Sequence, residues 1–262
     1  MSDNTFDQVT LLITHYNRSN SLGLLLGDVV KEGLKFHDIV VSDDGSRPEH
    51  LDIVKELQQK YNFTLVTTPV NKGLGNNLNK GQDAVKSEYT LYVQEDFEPT
   101  PDFVPNFRNA VKLMNEEHQW DIIRFYTFPW APFPYLKDYK LGFAEMIFRP
   151  QLWHTDHLKF RVYSDHPHIR RANFFEKFGR YDEGIKGDIT EYNMCLRFLR
   201  AKGRALIYNR GELFTHRHDE VEPSTMVRSA WKLSNSAFIR FLRYVYLKGK
   251  VINSTYKLRF KK

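Results

Sequence analysis

Strand-like and helix-like segments alternate through about the first hundred residues of the chain. The segments VTLLIT (9–14) and HDIVVSD (37–43) are apolar and rich in β-branched residues, and leucines at helical spacing lie between them. Such alternation predicts an α/β fold, doubly wound, with a mainly parallel sheet and helices on both faces. Beyond 37–43, the predicted strands are 63–67 and 89–94, and the predicted helices are 48–60 and 76–86.

Three of the predicted strands end in polar clusters, namely THYNR (14–18), SDDGS (42–46) and QED (94–96). The carboxyl ends of parallel strands share one edge of a sheet, and open α/β sheets bind their ligands there. We therefore expect Asp43, Asp44 and Asp96 to face one crevice. For any one cluster, a turn or helix cap is the simpler explanation, but three coinciding clusters favour a ligand site.

Beyond residue 100 the regular alternation stops. The loop 126–139 is rich in proline and aromatic residues and shows no regular period, which is typical of a binding wall or lid. The remaining predictions are helices at 101–118, 170–178, 190–202 and 224–247, and strands at 121–126 and 204–209.

Composition restricts the cellular compartment and the binding partners that we expect for the protein. The only cysteine is Cys195, which excludes an intrachain disulfide. The first residues are polar, and no apolar run has the length of a membrane span, so we expect a cytoplasmic protein. The net charge is +6, and the residues after Glu222 carry ten basic and no acidic side chains, which leaves −4 for residues 1–222. An acidic body argues against a nucleic-acid groove.

The basic tail also carries an apolar face. Phe238, Phe241, Leu242 and Val245 follow the spacing i, i+3, i+4, i+7 of an amphipathic helix. Two alternatives remain open: this face packs on the protein body, or it contacts an anionic membrane surface, to which each nearby basic residue adds about 1 kcal/mol. The second alternative predicts peripheral attachment at the inner face of the cell membrane.

Four motifs in order resemble those of the GT-A glycosyltransferases of family 2: Thr14 to Arg18 as T-x-Y-N-R, Asp43 to Ser46 as D-D-G-S, Asn71 to Gly73 as N-x-G, and Gln94 to Asp96 as the acidic motif. The resemblance spans about 9–210. It implies a GT-A catalytic domain at 1–222, with a nucleotide-sugar half (1–126) and an acceptor half (127–222), followed by a basic amphipathic extension (223–262).

The resemblance implies a nucleotide-diphosphate sugar donor, UDP- or dTDP-linked, and a divalent cation, Mn²⁺ or Mg²⁺. Asp96 takes the metal-binding position, with His216 or His218 as a further ligand. The positions that match the donor site are Thr14, Tyr16, Asn17, Arg18, Asp43, Asp44, Gly73, Asn79 and Glu95.

The resemblance also implies inverting transfer with a carboxylate general base. Counting back six residues from Arg197 gives Glu191, with Asp188 as the second candidate. An acid stabilised in a first helical turn, with Thr190 or Asp188 as cap, is the alternative. Trp130 and Trp153 are candidates for a wall that stacks on the acceptor, a glycan or lipid-linked glycan, although core packing would also explain such aromatic residues.

Two positions depart from the family pattern. Gln94 replaces the first acid of the acidic motif, and Leu78 stands where an arginine is common, so Lys72 or Lys80 would have to supply that charge. These departures keep open a degenerate nucleotide-sugar- or glycan-binding module without turnover. A sugar nucleotidyltransferase is a third alternative, but THYNRSN is not the glycine-rich phosphate loop that such an enzyme needs after its first strand. The oligomeric state stays open.

Overall fold

A computed structural model describes residues 4–127, 133–149, 160–217 and 236–260. Nine strands form one sheet in the order β3-β2-β1-β4-β9-β6-β10-β8-β7, and β5 pairs with β11 in a second, two-stranded sheet. The strands are β1 (Thr5–His15), β2 (Lys35–Asp43), β3 (Thr64–Val66), β4 (Tyr89–Gln94), β5 (Phe97–Pro99), β6 (Ile122–Arg124), β7 (Leu136–Asp138), β8 (Phe143–Met146), β9 (His168–Arg171), β10 (Ala205–Tyr208) and β11 (Phe214–His216).

Most strands of the large sheet run in one direction. The strands β3, β2, β1 and β4 are mutually parallel, β9 is antiparallel to both β4 and β6, and β10 is parallel to β6. The strand β8 is antiparallel to β10 and to β7. Only β9 and β8 therefore run against the common direction of this sheet.

Helices cover both faces, because the strands are apolar on both sides. Alternate residues of β1 separate between two cores: Leu11 and Ile13 pack with α1, α2 and α4, whereas Leu12 packs with α3, α5 and α6. The α/β, doubly wound fold class is confirmed. The helices are α1 (Ser19–Lys31), α2 (Pro48–Tyr61), α3 (Leu74–Asp83), α4 (Phe103–Glu116), α5 (Phe174–Phe178), α6 (Gly187–Arg200) and α7 (Ala237–Phe260).

The predicted helix at 170–178 is wrong in its first half, where β9 lies between β4 and β6. Its residues alternate between faces, with Ile169 in one core and Arg170 toward the other. Arg170 is fully buried, and its guanidinium binds Gln82 Oε1 at 2.7 Å and the Tyr181 hydroxyl at 2.7 Å. A charged residue in a central strand hides the apolar pattern that identifies buried strands.

The last helix lies further along the chain than the prediction 224–247. It ends at Phe260, and residues 218–235 are outside the described residues. The helix continues past Gly249 because its second half packs on α6: Val251 is buried beside Leu196, and the Tyr192 hydroxyl bonds Ser254 Oγ at 2.7 Å. The loop 126–139 also contains β7. None of the described helices has both the length and the apolarity needed to cross a bilayer.

Candidate active site

The loops after β1 and β2 are tied together by buried hydrogen bonds. Asp43 is fully buried, and its carboxylate accepts from His15 Nδ1 at 2.8 Å, from the Gly45 and Ser46 backbone amides at 3.1 Å each, and from Thr67 Oγ1 at 2.8 Å. Burial alone would raise the pKa of Asp43, but these donors hold it well below its ordinary value. Asp43 is thus an ionised anchor of the sheet edge.

Asn17 makes further hydrogen bonds between the loops after β1 and β2. Its backbone has a φ of 52°, in the left-handed region that asparagine tolerates better than most residues. In this conformation its amide N–H donates to Ser46 Oγ at 2.9 Å, and its side-chain oxygen accepts from the Arg47 amide at 2.8 Å. The asparagine of the THYNR segment therefore shapes the loop beside the crevice.

Asp44 fixes the backbone of the N-x-G motif, Asn71 to Gly73. Its two carboxylate oxygens accept from the backbone amides of Lys72 and Gly73, each at 2.9 Å, which fixes the loop that leads into α3. Gly45, the residue after Asp44, has a φ of +68°, and a Cβ there would lie 2.4 Å from the Val70 carbonyl carbon. Only glycine fits this turn.

Leu78 and Lys80 occupy opposite environments on α3. Leu78 stands where an arginine is common in the family, and its side chain is fully buried in the apolar core. Lys80 Nζ lies 2.9 Å from Ser42 Oγ, and burial, partly offset by the charge of Asp44, lowers the pKa of Lys80 to about 8. Of the two lysines considered for the missing charge, Lys80 is the one that the structure places beside the acid pair.

Thr14 and Tyr16 differ in access. Thr14 is buried, and its hydroxyl lies 3.0 Å from that of Tyr92, so it points between β1 and β4. Tyr16 is half-buried at the edge of the crevice. Gln94, the residue at the first acidic position, ends β4 close to the Tyr92 hydroxyl.

The acidic motif lies directly beside the THYNR loop. The Arg18 guanidinium is 2.7 Å from Asp96 Oδ2 and 3.8 Å from Glu95 Oε1. The other carboxylate oxygen of Asp96, Oδ1, is buried and has no hydrogen-bond partner among the described residues. An anionic oxygen left in this way is suited to a cation, because buried carboxylate oxygens are otherwise paired.

His216 reaches Asp96 through the small sheet. The strand β11 pairs with β5 so that His216 lies opposite Phe97, and the Arg217 amide donates to the Asp96 carbonyl at 2.8 Å. His216 Nδ1 is then 3.8 Å from Asp96 Oδ2. One carboxylate and one imidazole are ligands that Mn²⁺-like ions accept, so these residues fit the implied cation. His218 lies outside the described residues, as do Trp130 and Trp153.

Glu191 lies inside the site, whereas Asp188 does not. Glu191 is buried at the start of α6, where its Oε2 accepts from Arg161 at 2.6 Å and its Oε1 from Ser164 Oγ at 3.0 Å. Asp188 is exposed one turn earlier. The alternative explanation, in which Thr190 or Asp188 caps this helix, does not hold for the cap, since the helix starts without a side-chain cap and the Thr190 hydroxyl donates to the Asp182 carbonyl.

Asp165 and His166 complete the surroundings of Glu191, and their ligand atoms lie within 4.8 Å of one another and of Glu191. Burial opposes ionisation of both carboxyls. For Glu191 the Arg161 charge outweighs it and the pKa lies below its ordinary value, whereas the pKa of Asp165 is raised well above. Burial also lowers the pKa of His166 to about 3. Both oxygens of Glu191 already accept hydrogen bonds, from Arg161 and Ser164, whereas Asp96 Oδ1 accepts none from the described residues, so this cluster is a weaker cation site than Asp96.

His166 connects this cluster to the acidic motif. Its ring lies 6.4 Å from that of His216 and 5.2 Å from that of Tyr126, centroid to centroid. Asn79 supports the arrangement from behind: its amide bonds the Tyr181 backbone and Glu183 Oε1 and thereby fixes the loop before α6. The predicted donor-site position Asn79 is thus engaged within the protein.

Sequence reasoning missed several of these residues. Arg161, Asp165 and His166 lie in a stretch without a periodic pattern, and only the chain path brings them to α6. His15 carried a usable signal, since it stands inside the THYNR segment. Its Nε2 accepts from the Arg18 amide, so the proton is on Nδ1 and points to Asp43.

Comparisons with known proteins agree with this geometry. The family model for glycosyl transferase family 2 matches residues 10–179. A cholesterol galactosyltransferase of Borreliella burgdorferi is 27% identical over 110 residues, which are 42% of this chain and 31% of that protein. Glycosyltransferase GlyA of Streptococcus pneumoniae is 26% identical over 220 residues, 80% of this chain and 30% of GlyA. The chain thus spans less than a third of the length of these two relatives.

Among solved structures, S. aureus TarS 1–349 in complex with UDP-GlcNAc aligns with 95% of this chain and 73% of that chain, with a TM-score of 0.62 and 15% sequence identity. This similarity concerns the fold, which is the GT-A fold expected from the motifs. The family model covers well over half of the chain, and the four motifs meet at one sheet edge. The chain therefore belongs to glycosyl transferase family 2.

Proposed function

We propose that this glycosyltransferase moves a sugar from a UDP- or dTDP-sugar to a glycan or lipid-linked glycan, with inversion and with a divalent cation at Asp96. The observation that carries the proposal is the orphaned Asp96 Oδ1, buried beside Arg18 and His216. A cation bound there would neutralise the diphosphate that leaves. The TarS complex with UDP-GlcNAc supports a uridine donor.

The donor's nucleoside is assigned to the edge formed by Thr14, Tyr16, Asp43 and Asp44, and its diphosphate to Arg18 and the acidic motif. Arg18 holds the carboxylates of Glu95 and Asp96 together, and its guanidinium suits a diphosphate oxygen equally well. Lys80 adds positive charge near Asp44. Asp43 and Asp44 act chiefly by fixing the loops against which the nucleobase of the donor rests.

Glu191 is the proposed base. It is kept ionised by Arg161, and it lies beside His166, whose ring is 6.4 Å from that of His216 next to the acidic motif. In direct displacement the carboxylate takes the acceptor hydroxyl proton as the acceptor oxygen attacks the anomeric carbon, and the bond to the diphosphate breaks. The exposed Asp188 is the weaker candidate.

We propose that the acceptor is presented at an anionic membrane surface, because one side of α7 carries a stripe of exposed apolar side chains. The structure leaves Phe238, Phe241, Leu242 and Val245 exposed, so these residues are not packed on the body. At about 100° per residue, Ile252, Tyr256 and Phe260 extend the same stripe along the side opposite the face that packs on α6.

Basic residues flank this stripe. Counting the same rotation, Lys248 and Arg259 lie on one flank and Lys250 and Lys257 on the other, and α7 has no acidic residue. An exposed apolar stripe with basic flanks is the pattern of a helix that lies in the membrane interface. Related enzymes include a cholesterol galactosyltransferase and a poly-beta-1,6-N-acetyl-D-glucosamine synthase, which supports lipid-linked or glycan acceptors.

The test of the metal assignment is Asp96→Asn. This variant should lose Mn²⁺-dependent binding of UDP-sugars in calorimetry and all turnover, while it remains folded with only a modest fall in unfolding temperature, because it weakens the ion pair with Arg18 but leaves the apolar core intact. Asp102→Asn is the matched control, since Asp102 is exposed just before α4. Unchanged Mn²⁺ dependence in Asp96→Asn would refute the assignment, and donor binding without turnover by the wild-type protein would favour a binding module.

A further inference from the structure

The buried carboxyl of Asp165 lies next to that of Glu191, with a ligand oxygen of each within 4.8 Å of the other. Two ionised carboxylates this close in a buried site repel one another, so one proton held by the pair stabilises it. Asp165 is 8% exposed and Glu191 6%, which excludes most of the water that would otherwise separate them.

The remaining contacts of Glu191 decide which carboxyl holds that proton. Arg161 at 2.6 Å and Ser164 Oγ at 3.0 Å both donate to Glu191 and stabilise its ionised form. The proton therefore belongs to Asp165, in agreement with the raised pKa of that carboxyl.

We infer that Asp165 is a positioning and proton-holding partner of Glu191, and that the two carboxyls act as one base whose active form is the doubly ionised pair. This inference rests on the proposed role of Glu191. A carboxylate bound to Arg161 alone is a weak base, whereas a close carboxyl pair binds its first proton more tightly than a lone carboxylate does and is therefore the stronger base.

The charges around the pair allow this double ionisation. Arg124 is buried, and both Arg124 and Arg161 act on the pair, so two positive charges oppose the two negative ones. In the reaction the acceptor O–H proton passes to the pair, the acceptor oxygen bonds the anomeric carbon, and the diphosphate leaves with the electrons of its bond. The titratable or charged groups that face the pair are Arg124, Arg161, His166, Cys195, Tyr92, Tyr163 and Tyr181.

The test compares pH profiles of kcat at saturating donor. In the wild-type enzyme the rate rises with pH through the raised pKa of the pair, because the pair must lose its proton to act. Asp165→Asn keeps size and a donor to Glu191 but removes the shared proton, so the acid limb should move down by at least about one pH unit and the plateau should fall by roughly tenfold. Asp83→Asn, which changes an exposed ion pair with Arg180, is the matched control.

Two further results separate this inference from the proposed base. Glu191→Gln should lower kcat by roughly 10²–10⁴ with donor binding retained, and near-normal turnover would refute the base itself. If Glu191→Gln is inactive and Asp165→Asn loses activity with an unmoved acid limb, Asp165 is merely structural. Infrared spectroscopy of the wild-type protein needs no variant: a protonated-carboxyl C=O band at neutral pH is expected, and its absence overturns the shared proton.

Discussion

The acidic residues of the sheet edge divide into those that serve the fold and those that remain available for a ligand. Asp43 and Asp44 use their carboxylates on backbone amides and neighbouring side chains. Asp96 keeps one oxygen without a partner among the described residues. Motif membership alone does not distinguish these roles, because an anchor and a ligand occupy the same strand end.

Asp43→Asn should destabilise the protein by about 2–4 kcal/mol, because an amide cannot accept all the bonds made by the buried carboxylate. The folded-state pKa of Asp43 is depressed, so its charge contributes stability above the ordinary aspartate pKa, and this contribution is lost as the pH falls toward the folded-state value. In urea unfolding, the difference in the free energy of unfolding between Asp43→Asn and wild type should narrow as the pH is lowered from neutral to about 3.

The control for this measurement is Asp52→Asn, which alters an exposed pair with Lys55 and should change the free energy of unfolding by less than about 1 kcal/mol. A gap for Asp43→Asn that stays constant across the pH range would mean that shape, rather than charge, accounts for the loss.

At the scale of elements, α3 illustrates how close packing positions the site. A Cβ on Gly75 would lie 2.1 Å from the Asp182 carbonyl oxygen, and one on Gly81 would lie 2.7 Å from Leu12 Cδ1. The glycines of NKGLGNNLNKG therefore allow α3 to lie against β1, β2 and the loop before α6.

Gly75→Ala should displace the loop at 181–183 and lower stability by about 1–3 kcal/mol, with a loss of kcat because the same loop leads into the helix of Glu191. Gly249→Ala is the matched control: it is also a helical glycine, but nothing lies within 4 Å of its added methyl group. The control should be neutral or more stable by up to about 1 kcal/mol. Equal unfolding midpoints and equal turnover for the two variants would contradict this account of α3.

The elements also show how far sequence reasoning reaches. The strands and helices up to Gln94 were predictable, because each has its own apolar period and a turn at its end. The strand β9 was not, since His168 and Arg170 are polar residues whose burial depends on Gln82, Tyr181 and other partners distant in sequence. The pair Asp165 and Glu191 is hidden for the same reason: 26 positions separate them along the chain.

At the scale of the whole molecule, charge and apolarity are segregated. The body at 1–222 is acidic, and the tail is basic. Packing of α7 on α6 uses Val251, Ser254 and Thr255, which turns the opposite stripe outward. Exposed apolar side chains in one line are costly in water unless a partner covers them. The basic flanks favour our proposal that this partner is an anionic surface, because a second copy of a basic helix would be repelled.

Flotation with vesicles tests this arrangement. The wild-type protein should float with anionic phosphatidylglycerol vesicles at low salt, much less at high salt and little with neutral phosphatidylcholine, because exposed basic residues are screened. A variant with Phe238, Phe241 and Phe260 changed to serine should bind at least about tenfold more weakly even at low salt, since it loses apolar area that enters the interface. The matched control changes Val30 and Val70, equally exposed on the body at 62% each, to serine. Binding that is indifferent to salt, or equal in the two variants, would contradict a membrane role for α7, and a lipid-independent dimer that the triple variant abolishes would identify a second copy as the partner.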